Sequence, residues 1–241
     1  MSEPAIGRAL LGRLSSIGDL SQADADAILG VAGEVRLLRR LEDISKAGEI
    51  PRFSVVVLRG FLQRYVSRRD GSRQIHAFYV PSDAPSLETL NLDRIDTNLG
   101  AVVASVVGII PHSELRALTK ARPNILALVW RETLVQGAMF REWLMRNSRL
   151  PADAAMAHLF CEIYVRSRAA GLLEDESCEM PVTQEMLADA LGLTGVHVNR
   201  TLQALRETGL VDHKAGRLIV HDFKSLAHYA DFDATYLHLR P

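Results

Sequence analysis

Cysteine is nearly absent from this chain of 241 residues, which holds only Cys161 and Cys178. Neither belongs to a CxxC pair or to a Cys/His cluster with ligand spacing, so a disulfide framework and a structural metal site are both excluded. That usage fits a reducing cytoplasm. Long hydrophobic runs are lacking too: the nearest, LGAVVASVVGII at 99–110, is too short to cross a bilayer. The N-terminal stretch has scattered acids where a secretory signal needs a basic start and an unbroken apolar core. An excess of one charge is missing as well, with 28 Lys and Arg against 29 Asp and Glu. Nucleic acid or an anionic membrane could therefore be drawn only to a local patch. No internal repeat, P-loop, Ser/His/Asp constellation or supported pair of carboxylates is present.

What the chain does have is 48% hydrophobic residues, enough for two folded units. Residues 5–40 read as one or two helices, with Leu10, Leu11, Leu14, Ile28 and Val31 at helical spacing. From Val35 to about Ile110 short apolar runs such as SVVVLRG, IHAFYV and AVVASVVGII, broken by Gly, Pro and Asp, read as strands. Asp70-Gly71 suits a tight hairpin between Phe61–Ser67 and Gln74–Val80. After Pro123 the stretch NILALVWRETLVQGAMFREWLMRN predicts a long helix. Leu126, Trp130, Leu134, Ala138 and Met145 lie near one face of it, too apolar to stand alone, and call for partners on more than one side: the strand region and a second copy. Trp130 and Trp143 read as packing residues. A further helix runs from Pro151 to Ala170, closed by Gly171, and the acidic LLEDESCEM that follows reads as a surface connection.

The most informative stretch is LADALGLTGVHVNRTLQALRETG at 187–209. Thr183 is a natural N-cap for a helix Gln184 to Leu191, Gly192 allows a turn, and Thr194 caps a second helix to about Thr208. Leu187, Leu191, Leu193, Val198, Leu202 and Leu205 would pack the two together with small Ala188 at the crossing, a helix-turn-helix pattern. Left outside are His197, Asn199, Arg200 and Gln203. Arg can donate two hydrogen bonds to guanine, and Asn or Gln can pair bidentately with adenine, so these side chains suit a major groove. The helix starts at Thr183 and Thr194 offer N–H groups and hydroxyls to phosphates. GLVDHKAGRLIV reads as a hairpin wing that would lay His213 and Lys214 along the DNA backbone. Acids balance bases over the segment as a whole, but none lies between Thr194 and Arg206.

These motifs resemble the Crp/Fnr family of bacterial transcription regulators over nearly the whole chain, most specifically in PVTQEMLADALGLTGVHVNRTLQALRETGLV and also in the FDATYLHL ending. The resemblance implies an α+β fold: an antiparallel β-roll similar to cyclic-nucleotide-binding domains over 1–122, a dimerisation helix over 123–148, and a winged helix-turn-helix over 149–241. It implies a homodimer on double-stranded DNA, placing two recognition helices on half-sites about one helical turn apart, with RNA polymerase as a partner of an activator and no membrane. The family's base-reading positions fall on Gly195, Val196 and Arg200, and its phosphate-touching positions on Thr183 and Gln184. Gly195 and Val196 replace polar readers, so the operator should differ from those of the best-known members, with His197 and Asn199 taking part.

At the sensor end the resemblance weakens. Cyclic-AMP-binding members use a Gly-Glu pair for the ribose and an Arg-Ser pair for the phosphate, because a buried anion needs a paired guanidinium. Those places fall here near Ser86-Leu87 and Thr97-Asn98. The arginine is missing, with Arg94 the nearest substitute, so cyclic AMP is disfavoured and the effector stays unidentified. Oxygen-sensing members need thiolates close to the N-terminus, and none precedes Cys161. His76 and His112 remain candidates for haem, against the commoner reading of His76, His112 and His158 as isolated surface or packed histidines. Cys161 in LFCEIYV reads as a buried small residue and Cys178 as a thiol whose ionisation is disfavoured. The rival from another class is a small-molecule-binding or protein-interaction module that never reads DNA. An enzyme built on the strand region would find only one His and one Asp in QIHAFYVPSDAPS.

Overall fold

The computed structural model describes residues 4–240. Two compact units emerge, one formed by Met1–Arg64, Tyr79–Gly137 and His238–Pro241, the other by Tyr65–Phe78 and Ala138–Leu237.

The first unit starts with α1 (Pro4–Ile17) and α2 (Gln22–Leu29). Ile6, Leu10, Leu14 and Ile17 recur at helical spacing and are fully buried, which gives α1 one continuous apolar stripe. Ser21 caps α2 by accepting from the Asp24 N–H. Seven strands follow along the chain, of which the part Tyr65–Phe78 falls in the second unit: β1 (Glu34–Leu38), β2 (Asp43–Ser45), β3 (Phe53–Arg59), β4 (Leu62–Ser67), β5 (Arg73–Tyr79), β6 (Asn98–Ala101) and β7 (Ser105–Pro111). They make a three-stranded antiparallel sheet in the order β1-β7-β3 and a four-stranded sheet in the order β2-β6-β4-β5. The stripe of α1 lies on the first sheet, in a core shared with Val56, Ile110, Leu115, Ile125 and Leu128. Gly108 of β7 is what lets the helix come so close, since a Cβ there would meet Ile6 Cγ1 at 2.8 Å. A 3₁₀ turn, Leu87–Asn91, carries the loop before β6, and α3 (His112–Ala121) follows β7.

Helix α4 (Pro123–Arg149) is the long helix expected from the sequence, and the division into units falls inside it, between Gly137 and Ala138. Trp130 is 66% exposed in the single chain, beside Leu126 and Leu134 at 45% and 59%, on the face for which the sequence calls for a second copy. Trp143 is buried, donating its indole N–H to Glu162 Oε2 at 2.9 Å.

In the second unit α5 (Ala152–Ala169) is buried from Ala155 to Ser167 on all sides, which explains why its pattern shows little amphipathy. Gly171 leaves it at φ 68°, as its C-cap role requires. The acidic stretch beyond is a strand and not only a connection: β8 (Ser177–Glu179) pairs with β10 (Arg217–Val220), which pairs with β9 (Val211–Lys214). Cys178 is accordingly buried, and burial pushes its thiol up. Cys161 is fully buried and pushed up to about 12 for the same reason. Helices α6 (Gln184–Leu191), α7 (Gly195–Glu207) and α8 (Phe223–Tyr229) complete the unit. None of the described helices is long and apolar enough to cross a membrane.

Candidate nucleic-acid interface

Each turn of the helix pair is built by a local device. Thr183, extended at φ −81° and ψ 165°, accepts the Met186 N–H on its hydroxyl and starts α6. Gly192 ends that helix in the left-handed region at φ 68°, where an L side chain would be strained, and the Leu193 N–H returns to Ala188 O at 3.1 Å. Thr194 then caps α7 by accepting the His197 N–H at 3.3 Å. Leu187, Leu191, Val198 and Leu205 are buried between the helices, with Leu193 and Leu202 half-buried. The spacing fixes what is left outside. Val196 is 74% exposed, and His197, Asn199, Arg200 and Gln203 of the same helix are exposed too, as are Thr183, Gln184, Thr194, Gly195 and Lys214.

Two electrostatic features make this surface suited to an anion. The first turn of α7 holds no acid, so its N-terminal N–H groups and dipole are uncompensated. Arg206, the other arginine of α7, is drawn away to Asp212 at 3.3 Å, which leaves Arg200 as the helix's outward cation. On the wing, Ala215 and Gly216 both have positive φ, 52° and 74°, the geometry of a tight two-residue hairpin with Lys214 opposite Arg217. His213 corrects the expectation set for it. Its ring bonds Met180 O at 2.9 Å and lies 5.6 Å from the Phe160 ring, so it faces the interior, and burial lowers its pKa despite that bond. Of that pair only Lys214 is exposed.

The first unit gathers a second polar cluster, and here the sequence reading missed its centre. Arg64 on β4 is buried; its guanidinium donates to Tyr79 Oη at 3.0 Å, to Thr97 Oγ1 at 2.8 Å, to Glu88 Oε1 at 2.6 Å and to the Pro85 carbonyl. Burial works against its charge, but the partners Tyr79 and Glu88 outweigh it and raise its pKa. An arginine absent from the local register at Thr97-Asn98 is thus supplied by another strand. Arg94 does not serve: it is exposed and bonded to Gly48 O. The signal in the sequence was an arginine inside the strand run FLQRYVS, where a charge on an inward position demands partners. Ser86 and Asn98 serve the backbone, accepting from the N–H groups of Val55 and Ala47. His112 is buried with Nε2 3.3 Å from Thr89 Oγ1, and burial lowers its pKa. Among the described residues no three His, Cys, Asp or Glu side chains converge as metal ligands.

Comparison with known proteins bears on the helix pair directly. Residues 154–229 match the Crp-like helix-turn-helix domain, a span that contains α6, α7 and the β9–β10 hairpin. The transcriptional activator FnrL of Cereibacter sphaeroides is 27% identical over 195 residues, covering 78% of this chain and 77% of the relative. The nitrogen fixation regulation protein FixK of Azorhizobium caulinodans is 24% identical over 193 residues, 80% and 77% of the two chains. Residues 154–229 are thus similar to the helix-turn-helix of Crp-like regulators, and most of the chain is similar to Crp/Fnr transcription regulators. Among solved structures, FixK2 from Bradyrhizobium japonicum superposes on 85% of this chain and 100% of its own at a TM-score of 0.73 and 20% identity, which shows the shared fold. The transcriptional regulator TTHB099 of Thermus thermophilus does so on 82% and 97% at a TM-score of 0.62 and 18% identity.

Proposed function

We propose that this Crp/Fnr regulator works in the cytoplasm as a homodimer that reads a palindromic operator through α7, with residues 1–122 as the sensor region, 123–148 as the dimerisation helix and 149–241 as the reader. The observation that carries the reading is the outer face of α7: Val196, His197, Asn199, Arg200 and Gln203 are exposed together on a helix whose first turn holds no acid. In this reading Arg200 and Asn199 contact base edges, with His197 and Gln203 beside them; Gly195 and Val196 approach the groove without polar readout. Thr183, Gln184, Thr194 and Lys214 meet phosphates.

Two copies are favoured by α4. Leu126, Trp130, Leu134 and Leu144 are 45%, 66%, 59% and 71% exposed. At 100° per residue they fall within about a quarter-turn, a stripe suited to the same stripe on a second copy. In the sensor region Arg64 is already held by Glu88, Thr97 and Tyr79, so a cyclic phosphate would have to displace a bound carboxylate; this argues against cyclic AMP. The absence of any cysteine before Cys161 argues against an iron–sulfur cluster. RNA polymerase is the expected partner if the regulator activates.

The test is binding to DNA duplexes that the wild-type protein selects from a randomised pool. Arg200→Ala is expected to lose about tenfold or more in affinity, as loss of one bidentate base contact implies, and Asn199→Ala a similar factor. Both should keep the wild-type melting temperature. Wild-type affinity in both variants would remove α7 as the reader.

A further inference from the structure

Among the described residues Val196 is the most exposed of the large apolar side chains, ahead of Leu144, Leu37 and Trp130. The packing of its own helix does not account for it. At about 100° per residue, Val196, Asn199, Arg200 and Gln203 fall within about 100° of one another, on the side of α7 opposite the buried Val198, Thr201 and Leu205. Val196 stands inside that arc, with Asn199 to one side and Arg200 to the other. Spacing of i, i+3, i+4 and i+7 usually marks the face that a helix buries. Here the face is open, and one branched apolar group is set among three polar ones that suit base edges. Local stability does not favour valine either, since it is a poorer helix former than alanine. Its stiffness does have a use: one strongly preferred rotamer holds both methyls in a fixed direction, so little freedom is lost when they meet a partner. Gly195, just before it, is helical, and a Cβ there would meet no atom within 4 Å, so neither backbone nor crowding calls for glycine. Its missing side chain leaves the first turn of α7 bare beside Val196.

We propose that Val196 selects a thymine in each half-site by packing on its C5 methyl, next to the bases that Asn199 and Arg200 contact; this rests on α7 being the reader. Thymine alone of the four bases presents an alkyl group in the major groove, where guanine shows two acceptors and cytosine an amino group. Against guanine or cytosine the valine would cover polar atoms without giving them a hydrogen bond, which penalises those pairs. Against thymine it buries its own methyls and that of the base together. The surroundings favour DNA over a protein as the occupant: the Arg200 fork and the amides of Asn199 and Gln203 enclose the valine, on a helix with no acid in its first turn.

Deoxyuridine in place of single thymines of the selected duplex tests the contact, because uracil lacks the methyl and keeps the pairing and the O4 acceptor. At one thymine of a half-site the replacement should weaken wild-type binding about three- to fourfold, the worth of one buried methyl, and in both half-sites about tenfold. Val196→Ala should lose a similar factor on the thymine duplex, melt no lower than wild type, and no longer distinguish thymine from uracil at that position. Three results would each overturn the proposal: a selected half-site that requires no thymine, wild-type binding indifferent to uracil at every position, or a uracil penalty that persists in full in Val196→Ala. Arg200→Ala and Asn199→Ala on the same duplex separate this contact from the broader reading. If both bind as wild type, α7 is not the reader and both ideas fall; if they lose binding while uracil is indifferent, α7 reads DNA and the Val196 contact fails alone.

Discussion

Helix α7 and the surroundings of Arg64 both collect polar side chains, and they use them in opposite ways. On α7 the amides of Asn199 and Gln203 and the guanidinium of Arg200 stand exposed, with no side-chain hydrogen bond among the described residues. Around Arg64 every polar group is turned on another of the same chain: Tyr79, Thr97, Glu88 and the Pro85 carbonyl. The first arrangement contributes little to folding and is available to an external partner. The second is part of the fold, because a buried guanidinium without partners would cost more than the region could tolerate. Where a protein leaves hydrogen-bonding capacity unused at its surface and where it consumes it inside thus separates an interface from a closed site.

The largest expected effect comes from breaking the closed site. Arg64→Ala leaves Glu88 without its cation and Tyr79 and Thr97 without a donor, and should lower unfolding free energy by about 3–5 kcal/mol in denaturant titrations. Arg200→Ala should stay within about 0.5 kcal/mol of wild type, as expected for an exposed position. Equal losses in the two variants would erase the contrast.

A second test applies inside the second unit, where α5 carries another closed cluster. His158 is fully buried between Phe232 and Tyr236, and burial together with Arg146 depresses its pKa to about 3. Glu142 Oε1 lies 3.2 Å from its Nε2, but that proximity does not offset the burial, so the imidazole is neutral. The folded state then binds fewer protons than the unfolded state between the ordinary histidine value of 6.5 and about 3. Stability is present in full above 6.5 and is lost as pH falls through that window, by about 1.4 kcal/mol per unit from this group. His158→Gln should flatten the pH dependence of the melting temperature there; an unchanged slope would place the sensitivity elsewhere. The smallest effect belongs to the junction between fold and interface. Thr194→Ala removes the cap from the His197 N–H and should cost about 1 kcal/mol, read as faster amide exchange in the first turn of α7.

Much of the helix pair was legible because its determinants are local. Thr183, Gly192 and Thr194 each act within four residues, through a cap or a left-handed turn, and the apolar spacing of α7 decides which side chains face out. The hairpin at Asp70-Gly71 was legible for the same reason; β5 starts one residue earlier than the pattern suggested. Other features escaped because their cause lies far along the chain. His213 sits on a wing strand, but Met180 and Phe160 draw it inward. Cys178 lies in an acidic stretch that becomes a strand only because β10 is there to pair with it.

Local chemistry in the chain was enough to set the two capped helices, the turn between them and the residue types on the outward face, since i to i+4 bonding and helical periodicity need no distant partner. That Arg64 finds Glu88 and Thr97, and that Arg73 finds Asp189 across 116 positions of chain, was visible only once the chain was folded. Long-range electrostatic pairing depends on which strands and helices come to lie side by side, and that is settled by burial of the whole core rather than by any stretch of residues read alone.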